Sequence, residues 1–507
     1  MVRLCRQNLS KLDSSVVLPG YPEPKAGIVH LGLGQFAKAH LACYMDSVMN
    51  LGGSGWGIVG ASLRSSAATE VLQPQDNLFT LTSHSVNKTE TRVIGSLSES
   101  IALSAGGREK LLGRMTDPTI HIVSLTVTEQ GYYLNTAGEL DFAHPDIQAD
   151  LSTPDHPITA IGWIVLAAKH RRFAGAPPFT ALSLDNLVGN GQVLRRVVLA
   201  FANRVDSQLA TYIESEIAFP STMVDRIVPA LDADALSATR QNIGMVDEAC
   251  VLTEVFSQWV IEDRFVSRRP AWEKAGVIFC DDVTPFENMK LRLLNGAHSS
   301  IAYLGILLGH QTVSDCMHDP TLRIFIESLM RTEIQPEVAP PHGFGLDQYI
   351  DQLLERFSNP HLRHRCAQIA MDGSLKIPQR LLPVLEERLL MGLCVHHLVF
   401  ALAAWMTFVQ QQAPLQDPLE AKLKALVRGS SVNKSSINEN STNESSINER
   451  KDAGLVSELL MSSGIFSKGL QDSPILHLQL TAAVVDIRQL GVSMALTKCL
   501  DSKCESV

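Results

Sequence analysis

Four polar residues in an otherwise apolar stretch have the types and spacing for acid–base chemistry. In the segment 282–310, DVTPFENMKLRLLNGAHSSIAYLGILLGH, they are Glu287, Lys290, Asn295 and His298. At about 100° per residue on a helix with Lys290 at zero, Glu287 falls at roughly 60°, His298 at roughly 80° and Asn295 at roughly 140°, one shared sector. Leu291, Leu293, Leu294, Ala297 and Ile301 spread around the rest of the circumference and enclose the helix. A lysine held there loses hydration, its pKa falls, and it becomes a general base near neutrality. The same residues also fit a lysine snorkelling to solvent beside a satisfied core histidine.

A second constellation is suited to phosphate. The run Ile28-Val-His-Leu-Gly32-Leu33-Gly34-Gln35-Phe36-Ala37 reads as a strand entering GxGxxA and then a helix. Gly32 permits the tight turn, Gly34 lets backbone amides approach a pyrophosphate, and small Ala37 allows close packing at a helix N-terminus. A plain glycine turn between strand and helix is the competing reading. The acid that usually binds the ribose 2′-hydroxyl about 20 residues on is missing. Arg64 and its serines stand there instead, with no acid before Glu70, so NAD and NADP both remain open on the residues.

A third cluster, Ser183-Leu-Asp185-Asn186-Leu-Val-Gly-Asn190-Gly191, follows an apparent strand. Ligands of open α/β sheets lie beyond the carboxyl ends of strands, which puts Asp185 and Asn186 where a substrate could meet a cofactor. An Asn/Gly-rich turn accounts for it equally well. The same two readings apply to Thr126-Val-Thr128-Glu129-Gln-Gly131 and to Phe219-Pro-Ser-Thr-Met-Val-Asp225-Arg226.

These residues need elements to position them. Short apolar runs at 28–31, 56–60, 120–127, 179–184 and 277–279 alternate with helical patterns, as buried parallel strands covered by helices on both faces would. The expected architecture is α/β, a Rossmann-type doubly wound domain over residues 1–280. From there to 507 strand signals fade, and apolar stretches of helical length at 289–309, 381–393 and 395–408 imply a mainly α-helical substrate and catalytic domain. At 429–450 a degenerate Ser/Asn/Glu repeat has too few apolar residues to offset ordering entropy and reads as a disordered insertion.

Composition narrows the partners. The 507 residues carry 43 basic and 53 acidic side chains, a net charge of −10, without the basic block that phosphate-backbone binding needs; nucleic acid is excluded as a partner. The nine cysteines are scattered and never form CxxC, so reduced, packed thiols are expected and no metal site is indicated. The N-terminal segment lacks the apolar core of a secretory signal, which points to the cytoplasm. The uncharged run 391–408 contains His396 and His397 and reads as a buried core helix, not a membrane span.

Taken in order, IVHLGLGQF, SLTVTEQGY, SLDN, FPSTMVDRIVP, QWVIEDRF, VTPFENMKLRLLNGAHSSIAYLG and RFSNPHLRHRCAQIAMDGSLKIPQRLL resemble the mannitol dehydrogenase and fructuronate reductase family, the polyol-specific long-chain dehydrogenases, over nearly the whole chain. The resemblance implies zinc-independent hydride transfer between a nicotinamide cofactor, NAD with NADP not excluded, and a secondary alcohol or ketone. By this likeness Lys290 is the general base, Asn186 and Asn295 form an oxyanion hole, His298 orients the substrate, Asp225 sits close to the lysine, and Glu287 or Glu129 relays the proton. Gly32 to Ala37, Arg64, Thr128, Glu129 and Asp185 are the cofactor candidates; Lys376 and Arg365 are the substrate candidates.

Two departures matter. The family's glycine loop continues FHRAH where this chain has Phe36-Ala37-Lys38-Ala39-His40, and Gln368 stands where mannitol dehydrogenases commonly carry an arginine. The segment RHRCAQIAMDGSLKIPQR resembles the sugar-acid branch, which favours the pair D-mannonate and D-fructuronate over the polyol/ketose pairs of mannitol or arabinitol dehydrogenases. A cofactor-binding module without catalysis is the remaining alternative.

Overall fold

The computed structural model describes residues 1–229, 231, 233–432 and 444–502, and contacts divide the chain into two units, Met1–Thr284 and Pro285–Val507. In the first unit, five strands form a parallel sheet in the spatial order Leu97–Ala102, Gly57–Ser62, Ala26–Leu31, Ile122–Leu125, Thr180–Ser183. Their apolar runs follow from double coverage. Val29, Leu31, Val59, Ala61, Val123, Leu125 and Ala181 join one apolar cluster with Trp163 and Ile164 of helix Ala160–Ala174. The alternate residues Ile28, Ile58, Ile122 and Leu182 join another with Met45 and Val48 of helix Cys43–Asn50. Successive side chains point to opposite faces of a strand, so both registers must be apolar when helices cover both faces. The doubly wound α/β domain is thus present, with the strand order reversing at Ala26–Leu31, where such sheets open their ligand crevice.

Four of the five expected runs lie on this sheet. The fifth, 277–279, falls instead in Ile278–Cys280, a half-buried strand beside Gln258–Glu262 in a separate three-stranded sheet completed by Thr222–Asp225. A third sheet joins Phe79–His84 to Thr89–Ile94 and Val251–Glu254. Its strands mix threonines and charged residues with apolar ones, so they carry none of the continuous apolar signal that marks the parallel sheet.

Every named element of the second unit is helical. The uncharged run 391–408 is not one helix: Leu382–Leu390 ends, Gly392 turns in the left-handed region at φ 66°, and His396–Gln411 begins as a buried helix. No helix among the described residues is long and apolar enough to cross a membrane. Both histidines are satisfied. His396 Nε2 bonds the Cys499 carbonyl at 2.9 Å and His397 Nδ1 bonds Glu333 Oε1 at 2.8 Å. Glu333, 1% exposed, also accepts from the N–H groups of His397 at 2.7 Å and Leu398 at 2.8 Å, so a buried carboxylate caps the positive end of the core helix.

Two expectations are corrected at the local level. The 429–450 repeat is helical at both described flanks: 429–432 completes helix Glu420–Val432, and 444–450 opens helix Glu444–Ser462. Residues 433–443 lie outside the described residues. Cys5, Cys43, Cys250, Cys280, Cys316, Cys366 and Cys499 are free thiols, but Cys394 is disulfide-bonded; scattered spacing carries no information about which sulfurs meet.

Replacing Glu333 with Ala strands two buried N–H groups and His397 at once, so the variant should lose about 2–4 kcal/mol of unfolding free energy. Denaturant titration of both proteins measures this, and a difference below about 0.5 kcal/mol would contradict the capping role.

Candidate active site

In the N-terminal unit the site begins where the strand Ala26–Leu31 ends. Gly32 has φ 96°, and a Cβ there would lie 2.0 Å from the Thr126 carbonyl oxygen, so this turn requires a residue without one. Gly34 is the extended N-cap of a helical segment that runs through Gln35–Ala37, a π-helical turn at Lys38–Ala42, and Cys43–Asn50. No side chain caps its first turn, leaving backbone N–H groups and the positive dipole end for an anion. A Cβ at Gly34 would meet nothing closer than 4.0 Å, so the amides are open to approach. The turn borders a cavity of about 450 Å³. These features fit the diphosphate of a dinucleotide.

Gly32, Leu33, Gly34, Arg64 and Thr128 line that cavity. Gln35, Phe36 and Ala37 form the first helical turn, and the exposed Glu129 opens the turn Glu129–Tyr132. Asp185 is different. It is 7% exposed, and its carboxylate accepts from the N–H groups of Val127 at 3.1 Å and Thr128 at 2.9 Å and from the Tyr132 hydroxyl at 2.9 Å. Burial, with Glu129 adding repulsion, raises its pKa against these bonds. Asp185 therefore holds the loop after strand Ile122–Leu125 from within and does not line the cavity. Arg64 donates to Asp146 and to the Tyr133 hydroxyl, each at 3.1 Å.

Beneath the turn lies a buried relay that the sequence reading did not identify. His30 is fully buried, with Nδ1 2.9 Å from Ser124 Oγ and Nε2 3.0 Å from Thr126 Oγ1. The Thr126 hydroxyl donates its one proton to the Gly32 carbonyl at 2.8 Å, so it must accept from His30 Nε2–H, and Nδ1 accepts from Ser124. Burial holds the imidazole neutral, its pKa pushed down to about 4. Lys38 and His40 are likewise buried. Lys38 donates to the Ala249 carbonyl at 2.8 Å, and the His40 ring packs 5.1 Å from Phe36 and 5.2 Å from Trp259.

Two further expected residues sit at strand ends in this unit. Asn186 is exposed just beyond Thr180–Ser183. Asp225 is the buried last residue of Thr222–Asp225. Its neighbour Arg226 donates to the Ala39 carbonyl at 2.6 Å and the Glu254 carbonyl at 3.0 Å, tying the helical segment to two sheets.

In the C-terminal unit, Glu287, Lys290, Asn295 and His298 are all buried, at 8, 8, 8 and 6% exposure, which agrees with an enclosed helix. The uniform count of 100° per residue does not hold. Thr284–Met289 and Gly296–Leu308 are α-helical, but Lys290–Asn295 between them is a π-helical turn, a wide turn that accommodates an extra residue and recurs at functional sites. His298 is held well below its ordinary pKa by burial first, and then by the neighbouring His364 ring and the cations of Arg356, Arg380 and Lys290. Arg380 donates to Ser299 Oγ at 3.1 Å and Lys376 to the Ile369 carbonyl at 3.2 Å. Arg365 is exposed, serving as the N-cap residue of Cys366–Ile369. His364 and Arg356, not singled out from sequence, both act on His298; a histidine inside HLRHR carries no local sign that its ring turns inward. Among the described residues no group of three or more His, Cys, Asp or Glu side chains is placed to hold a metal ion.

Two family models match the chain: the mannitol dehydrogenase Rossmann domain over residues 26–274 and the mannitol dehydrogenase C-terminal domain over 282–488. The D-mannonate oxidoreductase of Escherichia coli is 44% identical over 387 residues, 76% of this chain and 80% of that protein. Mannitol 2-dehydrogenase of Phaeosphaeria nodorum is 38% identical over 439 residues, 84% of this chain and 77% of that protein. Among solved structures, the ternary complex of Pseudomonas fluorescens mannitol 2-dehydrogenase with NAD and D-mannitol matches at a TM-score of 0.84 and 35% identity, covering 99% of this chain and all of that one.

The relay at His30 generates a pH dependence. Between its ordinary pKa of 6.5 and its folded value of about 4, the unfolded chain binds a proton that the folded chain refuses. Stability present above pH 6.5 is therefore lost as pH falls through this window. Between about pH 7 and about pH 4.5 the His30 contribution should fall by about 2–3 kcal/mol. Urea titrations at both values should show a loss smaller by that amount in His30→Gln than in wild type; identical losses would show that the folded imidazole is not held neutral.

Proposed function

The chain belongs to the mannitol dehydrogenase family, and we propose that this polyol and sugar-acid dehydrogenase uses NAD to interconvert D-mannonate and D-fructuronate. The supporting observation is that positive charge gathers around the buried His298 of the C-terminal unit, on which Lys290, Arg356 and Arg380 act electrostatically. A uronate or aldonate is an anion, and a protein of net charge −10 must concentrate positive charge locally to receive one. The identity to D-mannonate oxidoreductase over 76% of the chain points the same way. NAD is favoured over NADP because Arg64, the residue best suited to a 2′-phosphate, is paired with Asp146 and Tyr133.

Bound NAD supplies the hydride acceptor. In the oxidative direction, Lys290 in its neutral form takes the hydroxyl proton as the carbinol hydrogen leaves as hydride, giving a ketone and a protonated lysine. Asn295 donates its side-chain N–H to the developing alkoxide, as a preorganised neutral donor should. His298 orients the substrate, and Glu287 passes the proton to solvent. The polyol/ketose alternative draws on the match to the mannitol 2-dehydrogenase complex, which extends over 99% of this chain.

Oxidation of NADH, followed in the near ultraviolet with fructuronate, tagaturonate, fructose and xylulose, decides between the two. Fructuronate should give the highest kcat/KM; a higher value with fructose would transfer the assignment to the polyol branch. Lys290→Ala should lower kcat by about 10²–10⁴ while the Kd for NADH stays within about twofold, and wild-type turnover in that variant would remove the lysine from the base role.

A further inference from the structure

A buried and a half-buried imidazole of the C-terminal unit each keep a buried ring nitrogen without a hydrogen-bond partner: His298 Nε2 and His364 Nδ1. The rings meet edge to face, centroids 5.3 Å apart and planes at 87°, and Phe357 packs against His298 at 4.6 Å. His298 is more than nine-tenths buried. The backbone gives His364 little freedom. Its carbonyl accepts from Val313 N–H at 2.9 Å, Cys366 N–H donates to the Gln311 carbonyl at 2.9 Å, and Arg365 pairs with Thr312 in an antiparallel bridge. In this basic loop the side chains of Arg363 and Arg365 are exposed and His364 is the one drawn inward.

Orphaned buried nitrogens are uncommon in folded proteins because each forfeits its hydration without return. Two on touching rings, in a region also influenced by Lys290, Arg356 and Arg380 at His298 and by Lys376 at His364, suit one chemistry. Neutral imidazoles each donate one N–H, a carboxylate accepts at two oxygens, and the lysines and arginines supply the compensating charge. A terminal hydroxymethyl group would gain hydrogen bonds there but none of the Coulomb attraction.

We propose that His364 and His298 together bind the carboxylate of the substrate, making His364 the residue that selects a sugar acid over the neutral polyol of the same skeleton. The inference rests on the sugar-acid dehydrogenase reading above and adds to it a residue and the part of the substrate that it meets. Discrimination of this kind comes from what the wrong ligand leaves unpaired as much as from what the right one gains.

Calorimetric titration of the full chain with D-mannonate and with D-mannitol, in the presence of NADH, tests it together with steady-state rates on fructuronate and fructose. His364→Leu removes the donor. His364→Gln carries its amide one bond too far, and His364→Asn places an amide close to Nδ1. Leu and Gln should each weaken mannonate binding tenfold or more and lower the ratio of kcat/KM for fructuronate to that for fructose by the same factor. Asn should recover most of both, and the Kd for NADH, the control for folding, should stay constant. Equal losses on acid and polyol, an Asn variant no better than Leu, or mannonate affinity indifferent to position 364 would each overturn the proposal. A wild-type protein that binds mannonate through His364 yet turns over no sugar acid would instead overturn the dehydrogenase reading and leave the pocket standing.

Discussion

The glycine turn of the N-terminal unit depends on how closely two strand ends approach. Gly32 leaves its strand against the Thr126 carbonyl at a distance that excludes any side chain, and no apolar packing can hold such a contact because there is nothing to pack. Buried polar groups hold it instead. Thr126 bonds the Gly32 carbonyl, His30 bonds Thr126, and Ser124 bonds His30, while Asp185 fixes the next two amides of the same loop. Each group spends its donors and acceptors on another, so the arrangement is stiff while the surface above it stays small-featured. A diphosphate needs just such a floor, with backbone amides in reach and no side chains in the way.

Burial alone does not mark chemistry, and this molecule offers its own controls. His30 and His298 are both buried deeply enough to stay neutral. His30 has a partner on each nitrogen and serves the fold, whereas His298 keeps one nitrogen unspent. Lys38 is buried too; it docks on the Ala249 carbonyl, lies over the Phe79 ring, and has its pKa pushed down to about 8. What separates these two histidines is therefore unspent hydrogen-bonding capacity, which sequence does not report.

Local patterns were legible in the sequence, and non-local ones were not. The glycine turn, the doubly covered strands and the enclosed helix with Lys290 and His298 announce themselves through neighbouring residues, because turn sterics and periodic burial act over a few positions. Of the two mixed sheets only the run 277–279 was legible, and the strands around Phe79–His84 went unread because threonine-rich and charged strands lack that pattern. Asp185 was read as facing a ligand, when its acceptors serve amides some 58 positions earlier in the chain. The glycine loop departs from the family's FHRAH by lacking a histidine while keeping one cationic residue, Lys38. The structure shows that Lys38, which follows Ala37, is a packed anchor and not part of the cavity lining.

The π-helical turn at Lys290–Asn295 has an evolutionary consequence. An α-helix that gains one residue turns everything downstream by about 100° relative to everything upstream. Lys290 stands at the start of that wide turn, with Asn295 and His298 at and beyond its far end. The phase between the lysine and the other two is thus set by chain length, not by side-chain identity. Gradual substitution can change what each residue is, but only an insertion or deletion of a codon can change how they face each other. Variation among descendants of such a helix should therefore be continuous in chemistry and discrete in geometry.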